Sequence, residues 1–258
     1  MRKLGWLPDA HKRPGERLDE DAISVLKAVT VPRAASVEQF AKIMDQGSLG
    51  SCVWNAIGQA VWIAHRRAGI EKPKLLSRLF GYYFSRAYHH QTAEDSGTFI
   101  RYGFAVLNKF GFCPEELWPY SDIHTRFTKM PGWQAIQGAY DQRSPTVYRR
   151  IYEDGDGRLL AIKQAIASGY AVVFGTDVSV AFTENDLGAA PVLPPIGKPL
   201  AGGHAMTVVG YEDNVFRIAN SWGTDFGEGG FCNFSAEYMK WPNTRDLWIV
   251  EHSPKYSG

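Results

Sequence analysis

Cys52 stands at the predicted start of a helix, a position that favours a reactive thiol. Apolar residues recur at helical spacing from Ser51 to Arg67, directly after the flexible loop DQGSLG. A thiol attacks a carbonyl group only as a thiolate, and free cysteine is mostly protonated at neutral pH. The N–H groups and dipole of a helix N-terminus favour negative charge, and a neighbouring histidine can take the proton. Cys52 is therefore a candidate nucleophile, provided that folding brings a histidine close to it.

Among the seven histidines, His204 has the most suitable setting for this base. Gly202 and Gly203 precede it and a predicted strand follows, so we expect its ring to project from a tight turn into a cleft. Asn220 follows sixteen residues later, and its carboxamide can accept the imidazole N–H and orient the ring. Trp222 can shield that hydrogen bond from water.

The segments around these residues resemble those of the papain family of cysteine peptidases. The matching segments are DQGSLGSCVW at 45–54, GGHAM at 202–206, NSWGT at 220–224 and GEGGF at 227–231. Three more resemble bacterial members: LSRLFGYY at 76–83, EDSG at 94–97 and the stretch 111–120. The matches follow the family's order over roughly residues 43–250.

This resemblance implies an α+β fold of two lobes, one helical and N-terminal, one antiparallel, β-rich and C-terminal, with the active site in the cleft between them. It implies that Gln46 and the backbone N–H of Cys52 stabilise the oxyanion, and that Gly97, Gly203 and Trp222 contribute to substrate binding. It also implies an apolar or aromatic substrate side chain two residues before the cut bond, and chemistry without a metal or organic cofactor.

Several positions depart from the family pattern. Leu49 replaces the usual cysteine three positions before the nucleophile, and Val53 replaces the usual aromatic residue after it. The family's disulfides have no counterpart, so Cys113 and Cys232 are expected to be structural thiols. The long pro-region is also missing. These departures concern secretion and zymogen control more than the chemistry.

Periodicity predicts the elements that position the site. It indicates helices near 77–90, 100–110 and 159–168, strands at 170–174, 205–211 and 247–250, and a hairpin through 212–214 into 215–219. The predicted division is an N-terminal extension (1–36), a helical lobe (37–135) and a β-rich lobe (136–258). The DGDG segment at 154–157 is interpreted as a turn, because it lacks the later ligands of a calcium loop. His65 with His89 and His90 is interpreted as a solvated helix face, not a metal site.

The N-terminal extension has two possible positions. Our main expectation is that it packs across the back of the helical lobe. The alternative is that residues near Trp6 and Leu7 lie in or beside the cleft and restrain activity.

Composition limits the partners. Lys plus Arg number 28 and Asp plus Glu 27, so no strong field points to nucleic acid or acidic lipid. No run approaches a membrane span and no signal-peptide core follows the first basic residues. We expect a cytoplasmic protein, or one exported without a classical signal, that is monomeric and binds neither nucleic acid nor membrane.

The sequence thus predicts an endopeptidase that acts on peptide or protein substrates through a thioester intermediate. Two alternatives stay open. One is an acyl transferase or transamidase that uses the same cysteine, and the other is a catalytically silent protein that captures peptides in the same cleft.

Overall fold

Helices dominate the first half of the chain. The structure is a computed structural model that describes residues 2–9, 20–21, 26, 29–142, 148–188 and 190–250. A short 3-10 helix (Glu38–Phe40) is followed by helices α1 (Cys52–Arg67), α2 (Arg78–Ala87), α3 (Ile100–Phe110), α4 (His124–Phe127) and α5 (Trp133–Asp141).

A mixed sheet organises the second half. Its strands are β1 (Glu20–Asp21), β2 (Ala34–Ser36), β3 (Tyr148–Ile151), β4 (Val172–Ser179), β5 (Leu200–Glu212), β6 (Val215–Ala219), β7 (Phe231–Ser235) and β8 (Arg245–Val250). The order is β1-β3-β8-β4-β5-β6-β7, with β2 also paired to β5. Among these described strand pairs, β1–β3 is parallel and the others are antiparallel. Helices α6 (Gly155–Ala167), α7 (Val180–Thr183) and α8 (Ala236–Lys240) lie between strands in the chain. The predicted α+β class is confirmed.

Helix α1 is the central helix because it is apolar or small on nearly every face. It packs against α2, α3 and strand β5, so its N-terminus is held between the helical half and the sheet. The Trp54 indole N–H donates to Ser85 Oγ at 2.9 Å, and a Cβ on Gly81 would lie only 2.3 Å from that ring. On the other side, Thr207 Oγ1 donates to Ala56 O at 3.2 Å.

Two local predictions are wrong. Gly202 and Gly203 do not form a tight turn before His204, because β5 already begins at Leu200. The DGDG segment is not a separate turn either, since α6 begins at Gly155. The buried guanidinium of Arg158 anchors that first helical turn, donating to Asp154 Oδ1 at 2.5 Å.

The expected solvated face of histidines is also incorrect for His65. Its side chain is buried, with its ring 5.7 Å from that of Phe112. No group of three or more metal-ligating side chains occurs within the described residues. The same part of the chain contains no helix long and apolar enough to cross a membrane.

Within the described part of the N-terminal extension, residues 2–9 do not pack across the back of the helical lobe. Residues 2–9, which we call the arm, lie in a cleft between the segment 97–98 and strand β5, and the Trp6 side chain is only 2% exposed. The Trp6 N–H donates to Gly203 O, and Leu7 N–H donates to Thr98 O. The alternative position is therefore the observed one. The predicted lobe boundaries at 37–135 and 136–258 stay a prediction.

Candidate active site

Cys52 is the first residue of α1, as the sequence predicted, and its side chain is completely buried. Burial raises the pKa of its thiol to about 11, and backbone hydrogen bonds from Ala205 and Gly5 oppose the shift. Ala205 directly follows His204 in β5, whereas Gly5 belongs to the arm. The thiol thus lies between the strand that carries the candidate base and the segment that fills the cleft.

His204 and Asn220 form the predicted pair. His204 Nε2 and Asn220 Oδ1 are 2.8 Å apart, and the backbone N–H of Ser221 donates to the same Asn220 oxygen. The second ring nitrogen, Nδ1, has no hydrogen-bond partner among the described residues. The Trp222 ring stacks on the imidazole with centroids 4.5 Å apart. The imidazole is therefore oriented by Asn220 and covered by Trp222.

Trp222 is placed against the base, and the guanidinium of Arg2, in the arm, lies 5.9 Å from the centroid of its ring. Its side chain is buried, and it also contacts the rings of Phe182 and Phe226. This position fits the predicted shielding of the His204–Asn220 bond. Its predicted role in substrate binding stays a prediction.

Burial also controls the charge state of the base. It lowers the pKa of His204 to about 4, while the hydrogen bond that the ring donates to Asn220 Oδ1 opposes the shift. Because burial also raises the pKa of Cys52 to about 11, it favours the neutral forms of both groups in this structure. The thiolate–imidazolium pair that the chemistry needs is therefore disfavoured in this closed state.

Gln46 lies at the same site with its amide orientation determined by two contacts. Ser221 Oγ donates to Gln46 Oε1 at 2.7 Å, so the amide nitrogen faces the opposite way. That nitrogen donates to Leu49 O at 2.8 Å and to Lys3 O, in the arm, at 3.0 Å. The predicted oxyanion donor thus already binds a peptide carbonyl oxygen. Sequence reasoning quoted Ser221 within the NSWGT segment but assigned it no role.

Gly97 and Gly203 both line the path of the arm. A Cβ on Gly97 would lie 2.3 Å from Gly5 O, and a Cβ on Gly203 would lie 2.4 Å from Trp6 O. These approaches require glycine because a side chain would displace the backbone of any peptide in the cleft. Both residues therefore contact a peptide backbone here, which is the kind of contact predicted for them with substrate.

Tyr82 and Asp95 hold the backbone at Gly97 in place, and the sequence analysis assigned them no role in the site. The Tyr82 hydroxyl donates to Asp95 Oδ1 at 2.6 Å and accepts from the Gly97 N–H at 3.0 Å. Asp95 also accepts the Gly50 N–H, two residues before the nucleophile. The ammonium group of Lys3 lies 3.5 Å from the Asp95 carboxylate. The resemblance of the EDSG segment to the family placed this region near the substrate. It did not predict that Asp95 binds the loop before Cys52.

The other two thiols lie away from this arrangement. Cys113 and Cys232 are buried and unpaired. Burial raises the pKa of Cys113 to about 12, and it raises the pKa of Cys232 still further. Neither has the helix-terminal position of Cys52.

Comparisons with known proteins identify the family of this chain. The family model of papain family cysteine proteases matches residues 32–246, and the chain belongs to that family. It is 34% identical over 233 residues to an uncharacterized peptidase C1-like protein of Acanthamoeba polyphaga mimivirus, covering 87% of this chain and 72% of that protein.

Solved structures show the same fold. Xylellain, a cysteine protease from Xylella fastidiosa, is 30% identical, covers 98% of each chain and superimposes with a TM-score of 0.81. A procathepsin B from Trypanosoma congolense superimposes with a TM-score of 0.71 at 14% identity, covering 97% of this chain and 87% of that one. The second likeness concerns the fold alone.

Proposed function

We propose that this protein is an endopeptidase that uses Cys52 as the nucleophile and is latent while its arm occupies the cleft. The observation that carries the proposal is the contact between Gln46 Nε2 and Lys3 O. A side-chain amide beside the candidate nucleophile already binds a peptide carbonyl oxygen. The oxyanion of an attacked peptide bond would need the same donor.

The proposed reaction follows from the four residues. His204 takes the proton of Cys52, and the thiolate attacks the substrate carbonyl carbon. Gln46 Nε2–H and the Cys52 backbone N–H stabilise the oxyanion, and its collapse breaks the C–N bond while His204 protonates the leaving amine. Water then gives a proton to His204 and attacks the thioester carbon. The C–S bond breaks to release the acid, and His204 returns the proton to the Cys52 sulfur. Asn220 holds the imidazole orientation throughout.

Latency follows from the groups that the arm occupies. The carbonyl oxygen of Lys3 accepts the hydrogen bond of the Gln46 side-chain amide, and the backbone N–H of Trp6 donates to the carbonyl oxygen of Gly203. Gly5 lies against the backbone of Gly50, two residues before Cys52. A substrate cannot use these groups until the arm leaves. The neutral forms of Cys52 and His204 in the covered site add a second barrier.

Gly5→Ala is the sharpest way to displace the arm. A Cβ at that position would lie 1.8 Å from Gly50 O. Because this oxygen is a backbone atom and not the end of a flexible side chain, the clash should displace the arm. The substitution leaves the four proposed catalytic side chains themselves unchanged. Pro8→Ala, at an exposed arm residue, is its matched control.

The nucleophile is tested by labelling the Gly5→Ala variant with a peptide that carries a thiol-directed electrophile. We expect one adduct per chain, mapped by mass spectrometry to Cys52 and absent from the buried Cys113 and Cys232. An adduct on either of those instead, or none on the folded protein, would overturn the assignment. Turnover that yields mainly peptide–amine conjugates when amines are added would replace hydrolysis by acyl transfer.

A further inference from the structure

One peptide group connects the proposed oxyanion donor to Asp95. It joins Leu49 to Gly50, and its oxygen, Leu49 O, accepts from Gln46 Nε2 at 2.8 Å. Its N–H, on Gly50, donates to Asp95 Oδ1 at 3.0 Å and to Oδ2 at 3.1 Å. Because a peptide group is planar, a rotation that weakens its bond to Asp95 also turns its oxygen away from Gln46. Asp95 therefore acts on the Gln46 amide through one rigid unit.

The bond to Leu49 O determines where the second hydrogen of the Gln46 amide points. A side-chain amide nitrogen carries two hydrogens, and each can be donated. Leu49 O takes the first, and the second faces Lys3 O of the arm at an N···O distance of 3.0 Å. Once the arm leaves, this second hydrogen is the one that meets the oxyanion. Misdirecting it should slow the reaction, because an oxyanion donor acts only when it is aimed at the developing charge.

The Leu49–Gly50 peptide group depends on support from outside its own segment. Glycine allows its backbone to rotate more freely than other residues do, so Gly50 does not hold the peptide plane by itself. A Cβ on Gly50 would lie 2.9 Å from Asp95 Oδ1, so glycine is also what lets the carboxylate approach. The three cysteines of the chain are all unpaired, so no disulfide holds the loop before Cys52. The support of this peptide group comes from Asp95.

The same carboxylate also reaches the backbone that binds a peptide. The Tyr82 hydroxyl donates to Asp95 Oδ1 and accepts the Gly97 N–H. Burial, together with the charge of Asp95, raises the pKa of Tyr82, so the hydroxyl keeps the proton that it donates. Gly97 adjoins Thr98, whose backbone N–H donates to Gly5 O of the arm at 2.7 Å. Asp95 thus supports both the Gln46 amide and the peptide-binding backbone at 97–98.

These contacts do not depend on the arm. Among the described donors to Asp95, Lys3 alone belongs to the arm, and its side chain is 55% exposed. An exposed ion pair of this kind contributes little. The loop that carries Asp95 is held from behind, since the buried Arg86 guanidinium donates to Thr92 O at 3.1 Å and to Glu94 O. Asp95 should therefore keep its position when the arm leaves the cleft.

We propose that Asp95 is a positioning residue that directs the oxyanion donor of Gln46 and holds the peptide-binding backbone at Gly97. This inference rests on the proposed peptidase function. Loss of the bond to Gly50 should slow the chemical step, because the Gln46 hydrogen stabilises charge that develops only during attack. Loss of the bond to Tyr82 should weaken substrate binding instead, because the backbone at Gly97 contacts the substrate before and during attack alike. The two effects are therefore separable as changes in kcat and in KM.

The test is steady-state hydrolysis of one fluorogenic peptide by variants of the full-length Gly5→Ala protein. Each kcat is expressed per Cys52 titrated with the peptide electrophile, so that misfolded molecules are not counted. Asp95→Ala should lower kcat by about tenfold or more, because removal of an oxyanion donor lowers it by roughly 10²–10³ and here the donor is misdirected. Tyr82→Phe keeps the bond between Asp95 and Gly50, so KM should rise by about threefold or more with kcat nearly unchanged.

Three further variants serve as controls. Glu94→Ala removes the exposed carboxylate next to Asp95, and Tyr83→Phe removes a hydroxyl on the same helix as Tyr82 that takes no part in these bonds. Both should match the parent. Asp95→Asn keeps a side-chain oxygen that can accept from Gly50 and Tyr82. Its kcat should stay within about threefold of the parent, since charge strengthens such bonds by only about twofold.

An Asp95→Asn variant as slow as Asp95→Ala, or an Asp95→Ala variant with the kcat of Glu94→Ala, would overturn the proposed role of Asp95. So would a Tyr82→Phe variant whose KM equals that of Tyr83→Phe. Should Asp95→Ala fail to fold, Asp95→Leu, which has a similar branched shape, takes its place in these comparisons. Absence of hydrolysis by every folded protein, the parent included, would instead overturn the proposed peptidase function.

Discussion

Ser221 connects two parts of the site through adjacent atoms of one residue. Its hydroxyl donates to the side-chain oxygen of Gln46, and its backbone N–H donates to the side-chain oxygen of Asn220. The first bond turns the Gln46 nitrogen toward the cleft, and the second holds the amide that orients His204. Ser221 is therefore a positioning residue whose effect on rate passes through Gln46.

Ser221→Ala should lower kcat by about tenfold, because loss of an oxyanion donor lowers kcat by roughly 10²–10³ and this change only loosens the donor. KM should change little, since the hydroxyl is not expected to touch substrate. The measurement is steady-state kinetics in the Gly5→Ala variant. Ser48→Ala is the matched control, since its exposed hydroxyl donates to Asp122 Oδ2 at 2.9 Å and not to Gln46. Equal kinetics for both serine variants would remove the role assigned to Ser221.

Protonation of Cys52 should report on whether the arm is in place. A raised thiol pKa means that the thiolate forms only at high pH, and a lowered imidazole pKa means that the base stays neutral. Displacing the arm admits water, so the pKa of Cys52 should fall and that of His204 should rise. The pH midpoint of Cys52 alkylation should therefore move from near 11 to well below it in Gly5→Ala. An unchanged midpoint in the variant would contradict this effect of burial.

At the scale of elements, Arg158 links helix α6 to the segment that leads into β8. Its guanidinium, buried beneath these segments, donates to the carbonyl oxygens of Met239, Trp241 and Thr244. These contacts hold the chain in place just before Arg245, where β8 begins. Removing the guanidinium would leave several buried carbonyl groups without this partner.

Arg158→Met should therefore reduce the free energy of unfolding by roughly 3 kcal/mol, since a buried polar group left unpaired costs about 1–3 kcal/mol. Urea unfolding monitored by circular dichroism measures this change. Lys163→Met is the control on the same helix, because its ammonium bonds to Asn214 at an exposed position. A loss no larger than that of the control would show that the Arg158 contacts do not stabilise the fold.

At the scale of the whole molecule, the sequence predicted the parts that depend on local pattern and ordered motifs. Helix α1 was predicted from its apolar spacing, and His204 and Asn220 were brought together as their segments implied. Gly202 and Gly203 were misjudged because glycine indicates both turns and close approaches. Only the packed Trp6 ring reveals that Gly203 serves a close approach within a strand.

The position of the arm depends on contacts that no local pattern records. Trp6 and Asp246 are 240 residues apart in the chain, and Asp9 meets Arg150 across 141 residues. An aromatic residue in a polar segment suggests burial but does not identify the surface that buries it. For the same reason, the link from Tyr82 through Asp95 to the loop before Cys52 was not predicted.

The most direct test of the account compares hydrolysis of a mixed fluorogenic peptide library under reducing conditions by four full-length proteins. They are the wild type, Gly5→Ala, Pro8→Ala and Gly5→Ala/Cys52→Ala. The measured kcat/KM scales with the fraction of molecules whose cleft is open, so Gly5→Ala should exceed the wild type and Pro8→Ala by about tenfold or more. The double variant should show no turnover. Equal activity of Gly5→Ala and the wild type would contradict latency, and activity that survives Cys52→Ala would contradict the proposed nucleophile.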